Sequence, residues 1–101
     1  MERLYVLVNN ELSLAYQGVQ AGHAVAQWLI EHPNQTWNNS YLIYLGVNEM
    51  KLQKWMFRLD LHKISYSKFI EPDIGNKVTA IAVQLPEEYS NFFENLKLMG
   101  A

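Results

Sequence analysis

Apolar residues fall into short runs along the chain, separated by polar turns, and the spacing within each run predicts an element. Residues 4–8 are a compact apolar run with β-branched Val6 and Val8, bounded by Asn9 and Asn10. This predicts a buried strand. Residues 14–32 follow as a helix, with Ser13 as its N-cap and Pro33 as its stop. Ala15, Val19, Gly22, Ala26 and Ile30 recur at three- and four-residue steps and predict the packed face. Gly18 and Gly22 are poor helix residues, and close approach to a sheet would explain them. Leu14, Val25, Trp28 and Leu29 make an apolar excess beside that face, which predicts a partner surface.

Residues 41–45 are apolar on both faces, as in an interior strand flanked by helices. Asn48 caps a second helix over residues 49–62, with Leu52, Trp55, Met56 and Leu59 as its core face. Residues 64–70 alternate as a strand nearer an edge. Residues 71–76, Glu-Pro-Asp-Ile-Gly-Asn, are a turn by composition, and residues 78–83 are a fourth strand. Pro86 opens a third helix, in which Tyr89, Phe92, Phe93 and Leu96 keep helical spacing to Gly100. The order β-α-β-α-β-β-α predicts one α/β domain over residues 1–101, with a four-stranded mixed sheet and helices on both faces.

Composition narrows the chemistry. At 101 residues, half of them hydrophobic and 18% charged, the chain is neither disordered nor a disulfide scaffold, since it has no cysteine. Thiol catalysis and zinc-thiolate sites are excluded with it. The start lacks a basic region followed by an apolar one, so no signal peptide is read, no membrane span is long enough, and a cytoplasmic protein is expected. Net charge is -2, which does not suggest an obligate nucleic-acid binder, yet six of the eight basic residues lie between positions 51 and 77. Lys51, Lys54, Arg58 and His62, spaced by three, four and four, form one stripe of the second helix. That stripe is either a phosphate-contacting ridge or an ordinary solvated face. His23, His32 and His62 lack metal-like spacing, and no phosphate loop or dinucleotide fingerprint occurs, so no metal or other cofactor is implied.

Gln20-Ala21-Gly22-His23-Ala24 resembles the helix motif Gln-x-x-His-Ala of the type 2 peptidyl-tRNA hydrolases. The preceding strand, the Asp73-Ile74-Gly75 turn and the strand from Thr79 are similar in order to elements of that family along nearly the whole chain. The resemblance implies a domain of that fold that hydrolyses the ester between peptide and tRNA. On it, Asp73 orients water, Gln20 and His23 shape the site, and Lys77 or Thr79 stands near the family's threonine. Lys51, Lys54 and Arg58 would then contact tRNA phosphates. The chain departs from the family in its shortened loop before the helix. Tyr16 stands where a lysine thought to act on substrate would fall, and Gly22 replaces a small hydroxyl residue. The alternatives are a catalytically silent, homodimeric binding module on the same fold, and an enzyme acting on another small ester or amide.

Overall fold

The computed structural model describes residues 2–101. Two α-helices flank a five-stranded mixed sheet in the order β3-β4-β1-β2-β5. The strands are β1 (Arg3–Asn9), β2 (Tyr41–Val47), β3 (Ser67–Glu71), β4 (Lys77–Val83) and β5 (Lys97–Leu98). The helices are α1 (Leu14–Glu31) and α2 (Glu49–Leu61). β1 and β2 run parallel, with Leu4 opposite Leu42, and every other pairing is antiparallel. The radius of gyration is 12.5 Å. About 12.7 Å is expected for one compact domain of this length.

Alternation along β1 builds the two cores. Leu4, Val6 and Val8 face α1, where they meet Ala21, Ala24 and Trp28. Leu7 points the other way, toward Leu52, Trp55, Met56 and Leu59 of α2 and toward Phe93. Ser13 and Asn48 cap the helices as expected, accepting from the backbone N–H of Tyr16 and Lys51.

The structure corrects four expectations. The packed face of α1 is Gln17, Gln20, Ala21, Ala24 and Trp28. Val19 and Ile30 of the predicted face are instead 54% and 73% exposed. The helix is apolar on both sides, so hydropathy does not choose between them. Small Ala21 and Ala24, set against Ala80 and Ala82, allow the close approach, and the glycines do not. A Cβ at Gly18 or Gly22 would meet only open space.

The third predicted strand begins at Ser67 rather than Ile64, because Lys63 takes a left-handed conformation (φ 57°). Ile64 then donates its N–H to Leu59 and closes α2. The third predicted helix does not form. A single 3₁₀ turn, Glu87–Tyr89, is followed by i→i+3 turns at Phe92, Glu94 and Leu96. Asn91 and Asn95 are weak helix formers. The turns seat Phe93 against Tyr5 and Trp55, with ring centroids 5.3 and 4.9 Å apart. The fourth correction follows from this. Past those turns the chain pairs with β2 through β5, so the sheet has five strands rather than four.

Candidate functional site

The turn between β3 and β4 is set by its residue types. Pro72–Ile74 make one 3₁₀ turn, and Gly75 (φ 80°) and Asn76 (φ 60°) reverse the chain in the left-handed region that these two residues tolerate. Between Phe69 and Ile70 the β3–β4 register slips, with Phe69 opposite Ala80 and Ile70 opposite Val78. Thr79 is the extra residue of this bulge. Its hydroxyl donates to Gln20 Oε1 on α1. Gln20 Nε2 donates to Glu71 Oε2 at 3.0 Å, and Glu71 Oε1 accepts the Asp73 N–H at 3.2 Å. Gln20 and Thr79 are fully buried, so a chain of hydrogen bonds runs from β4 through α1 to the turn.

The Gln20 amide beside it, together with the Asp73 N–H, holds the Glu71 carboxyl below its ordinary range. Charge on Glu71 is thus favoured by its hydrogen bonds. Tyr16, one turn before Gln20, has its phenol pushed up by burial and then by the negative charges of Glu71 and Asp73. The Asp73 side chain is exposed at the rim. His23 stacks on Phe69 at 4.3 Å with an 8° interplanar angle, one turn further along α1.

Lys77 does not join this group. Its Nζ lies 3.3 Å from Glu49 at the start of α2. The structure therefore gathers Gln20, Thr79, Asp73 and His23 along one flank of α1, adds Glu71 and Tyr16, and turns Lys77 away. From the sequence alone Glu71 reads only as a turn residue. Its signal was its place on the same strand face as Phe69, set one residue before Pro72 so that its carboxylate can reach the Asp73 N–H.

Lys51, Lys54 and Arg58 are exposed on α2, on the opposite face of the sheet from His23. The Arg58 guanidinium lies over Trp55 (4.3 Å) and Phe92 (5.0 Å), so it covers core aromatics as well as facing solvent. His62 ends α2 against Tyr89 and Phe92. His32 ends α1, stacked on Trp28 and bridging to Ser65. Among the described residues no group of three His, Asp or Glu could hold a metal ion. A cavity of about 1000 Å³ lies at the far end of the sheet, by Arg3, Trp28, His32 and Gln84, away from Asp73. No described helix is long and apolar enough to cross a membrane.

No family model matches the chain, and no curated protein matches it. Among solved structures, a protein of unknown function from Agrobacterium tumefaciens superposes with a TM-score of 0.71. Identity is 13%, and the match covers 96% of both chains. The likeness shows a shared α/β fold.

Proposed function

We propose that the chain is a divergent peptidyl-tRNA hydrolase type 2-like protein, acting in the cytoplasm on the ester that joins a peptide to the terminal ribose of tRNA. The observation that carries this reading is the buried link Thr79–Gln20–Glu71. It ties the helix residue of the family-like motif to both sides of the Asp-x-Gly turn. On this reading the fold is that of the family with an added edge strand, β5. Ester hydrolysis needs a positioned water, a proton acceptor and stabilisation of the oxyanion. Asp73 orients the water. Gln20 fixes Glu71, and Glu71 fixes the Asp73 backbone. His23 on Phe69 forms the rim that meets the ribose, and the Tyr16 hydroxyl stands in for the family's lysine. Lys51, Lys54 and Arg58 contact phosphates of a tRNA that passes the edge of the sheet.

The test is hydrolysis of an N-blocked aminoacyl-tRNA by the purified protein. Asp73→Ala is expected to abolish turnover while leaving the melting temperature near wild type. Unchanged turnover in that variant would remove Asp73 from the mechanism. No turnover by folded wild-type protein would overturn the hydrolase reading.

A second reading has its own observation. Among the described residues no lysine or arginine is hydrogen-bonded or ion-paired to Tyr16, Gln20, His23, Glu71, Asp73 or Thr79, and Lys77 pairs with Glu49 instead. Loss of one oxyanion donor typically costs about 10²–10³ in rate. On this reading the chain is a silent binding module that dimerises through the outer stripe of α1, where Val19 and Ile30 are exposed with Leu14 and Leu29. Light scattering at high concentration then gives a dimer mass that Val19→Asp with Ile30→Asp halves. A monomeric wild type would exclude the dimer.

A further inference from the structure

The end of α1 and the start of β3 share a chain of hydrogen bonds that stands apart from the Asp73 turn. Glu31 closes α1. Its Oε1 accepts the Ser67 hydroxyl, and its Oε2 accepts Gln27 Nε2 at 2.8 Å. The Ser67 hydroxyl, and then the Gln27 amide, hold the Glu31 carboxyl below its ordinary range, so it stands as a carboxylate that can only accept. The Ser67 proton is thereby committed to Glu31. His32 Nδ1 lies 3.1 Å from the Trp28 carbonyl and 3.5 Å from Ser67 Oγ. Neither offers it a proton, so Nδ1 carries the hydrogen of the neutral ring. His32 Nε2 is then an acceptor, and the Ser65 hydroxyl donates to it at 3.0 Å.

This is the order that an activated nucleophile needs, with a hydroxyl in reach of a base and the base oriented by a third group. The His32 ring is held by stacking on Trp28, with centroids 3.6 Å apart. It stands at the C-cap of α1, where the free carbonyls of the helix end favour a positive ring. Proton transfer from Ser65 to Nε2 creates that positive ring, and Glu31 adds a negative charge at the same end. Ser67 is 1% exposed, whereas Ser65 is open to solvent. The inner serine holds the base, and the outer one can meet a substrate. His32 also lines the cavity of about 1000 Å³, with Tyr5, Trp28 and Leu85. Besides His32, the ionisable side chains of its described charged lining are Glu2, Arg3 and Glu87, two acids against one base, which disfavours an anionic substrate.

We propose that Ser65 and His32 form a nucleophile–base pair that takes the acyl group of small, uncharged carboxylic esters. Ser65 Oγ bonds to the carbonyl carbon as its proton passes to His32 Nε2, and the carbonyl π pair moves to oxygen. Collapse of this adduct re-forms the carbonyl and breaks the bond to the leaving alcohol, which takes the proton from Nε2. The acyl group stays on Ser65 Oγ until water, giving a proton to Nε2, releases the acid and the proton returns to Ser65. The assignment is independent of the hydrolase reading, which uses neither residue.

The test uses p-nitrophenyl acetate, an uncharged ester. Release of p-nitrophenolate is followed by absorbance, and adducts are located by peptide mass spectrometry. Ser13, Ser40 and Ser90 are also exposed and serve as references within the same chain. General-base assistance typically contributes about 10²–10⁴-fold, so Ser65 should be acetylated at least about 10²-fold faster than those serines. Ser65→Ala should remove the adduct and the rapid release of p-nitrophenolate. His32→Gln should slow Ser65 acetylation by about 10²-fold or more in a chain whose urea midpoint shows it folded. Ser65 labelled no faster than the other exposed serines, stable adducts confined to lysines, or an unchanged Ser65 rate in His32→Gln would each overturn the proposal. The comparison among serines of the wild-type chain decides it if His32→Gln fails to fold.

Discussion

Replacing Thr79 with Val removes one hydroxyl and changes the side-chain shape little. Thr79 and Gln20 are both fully buried, and the hydroxyl donates to Gln20 Oε1. Val leaves that oxygen in the interior without a donor. Stranding a buried acceptor costs about 1–3 kcal/mol, whereas replacing both partners by apolar groups of similar shape is close to neutral. Burial of the extra methyl offsets part of this, so a net loss of about 1–2 kcal/mol is expected. At about 2.1 cal/mol/K per residue, a chain of this length has an unfolding entropy of about 0.21 kcal/mol/K, so the melting temperature should fall by about 5–10 °C.

The decisive assay is a double-mutant cycle of Thr79→Val and Gln20→Met, read as urea midpoints with unchanged slopes. If the two side chains act through one hydrogen bond, the double variant loses about 1 kcal/mol less than the sum of the singles. Additivity within about 0.5 kcal/mol would refute the link, and with it the claim that β4 orients Gln20 toward Glu71.

Gln20→Met should also alter the acid limb of stability. The Glu71 carboxyl is held below its ordinary value near 4.5 chiefly by the Gln20 hydrogen bond. A depressed folded-state value contributes stability above that ordinary value and loses it as pH falls through the depressed one. The variant should therefore lose less stability than wild type as pH falls below about 4.5, and parallel urea midpoints on that acid limb would count against the assignment. Lys77→Ala should cost less than about 0.5 kcal/mol and the difference should vanish in salt, because the pair with Glu49 is 58% and 40% exposed. Phe93→Ala should cost about 3–5 kcal/mol in urea denaturation, since it empties a ring position between Tyr5 and Trp55. A loss below about 1 kcal/mol would mean that the turns over residues 90–96 do not close the core.

The elements whose ends carry their own chemistry were legible in the sequence. Ser13, Asn48 and the Pro72–Gly75 turn each fix a boundary through local hydrogen bonding or φ, and each stands where it was expected. The face of α1 was not legible. Its inward side carries two glutamines, and their burial makes sense only once the partners of Gln20 are known on β3 and β4. β5 was not legible either. Two residues carry no period, and their pairing depends on the edge that β2 presents. Over residues 86–96 the three-residue steps Tyr89–Phe92 and Phe93–Leu96 fit a helix and successive i→i+3 turns alike.

The same reasoning explains why the site was half visible. Thr79 was an ambiguous candidate because its position depends on a slip in strand register, and nothing in residues 67–83 announces a bulge in advance. Once the slip is present, Gln20 has an acceptor and a donor on fixed partners and has one amide orientation. That orientation gives Glu71 a donor and leaves its other oxygen for the Asp73 backbone. Asp73 thereby has a fixed main chain and an exposed carboxylate. A residue buried on a strand thus determines what an exposed residue on a turn can do, and only the register connects them.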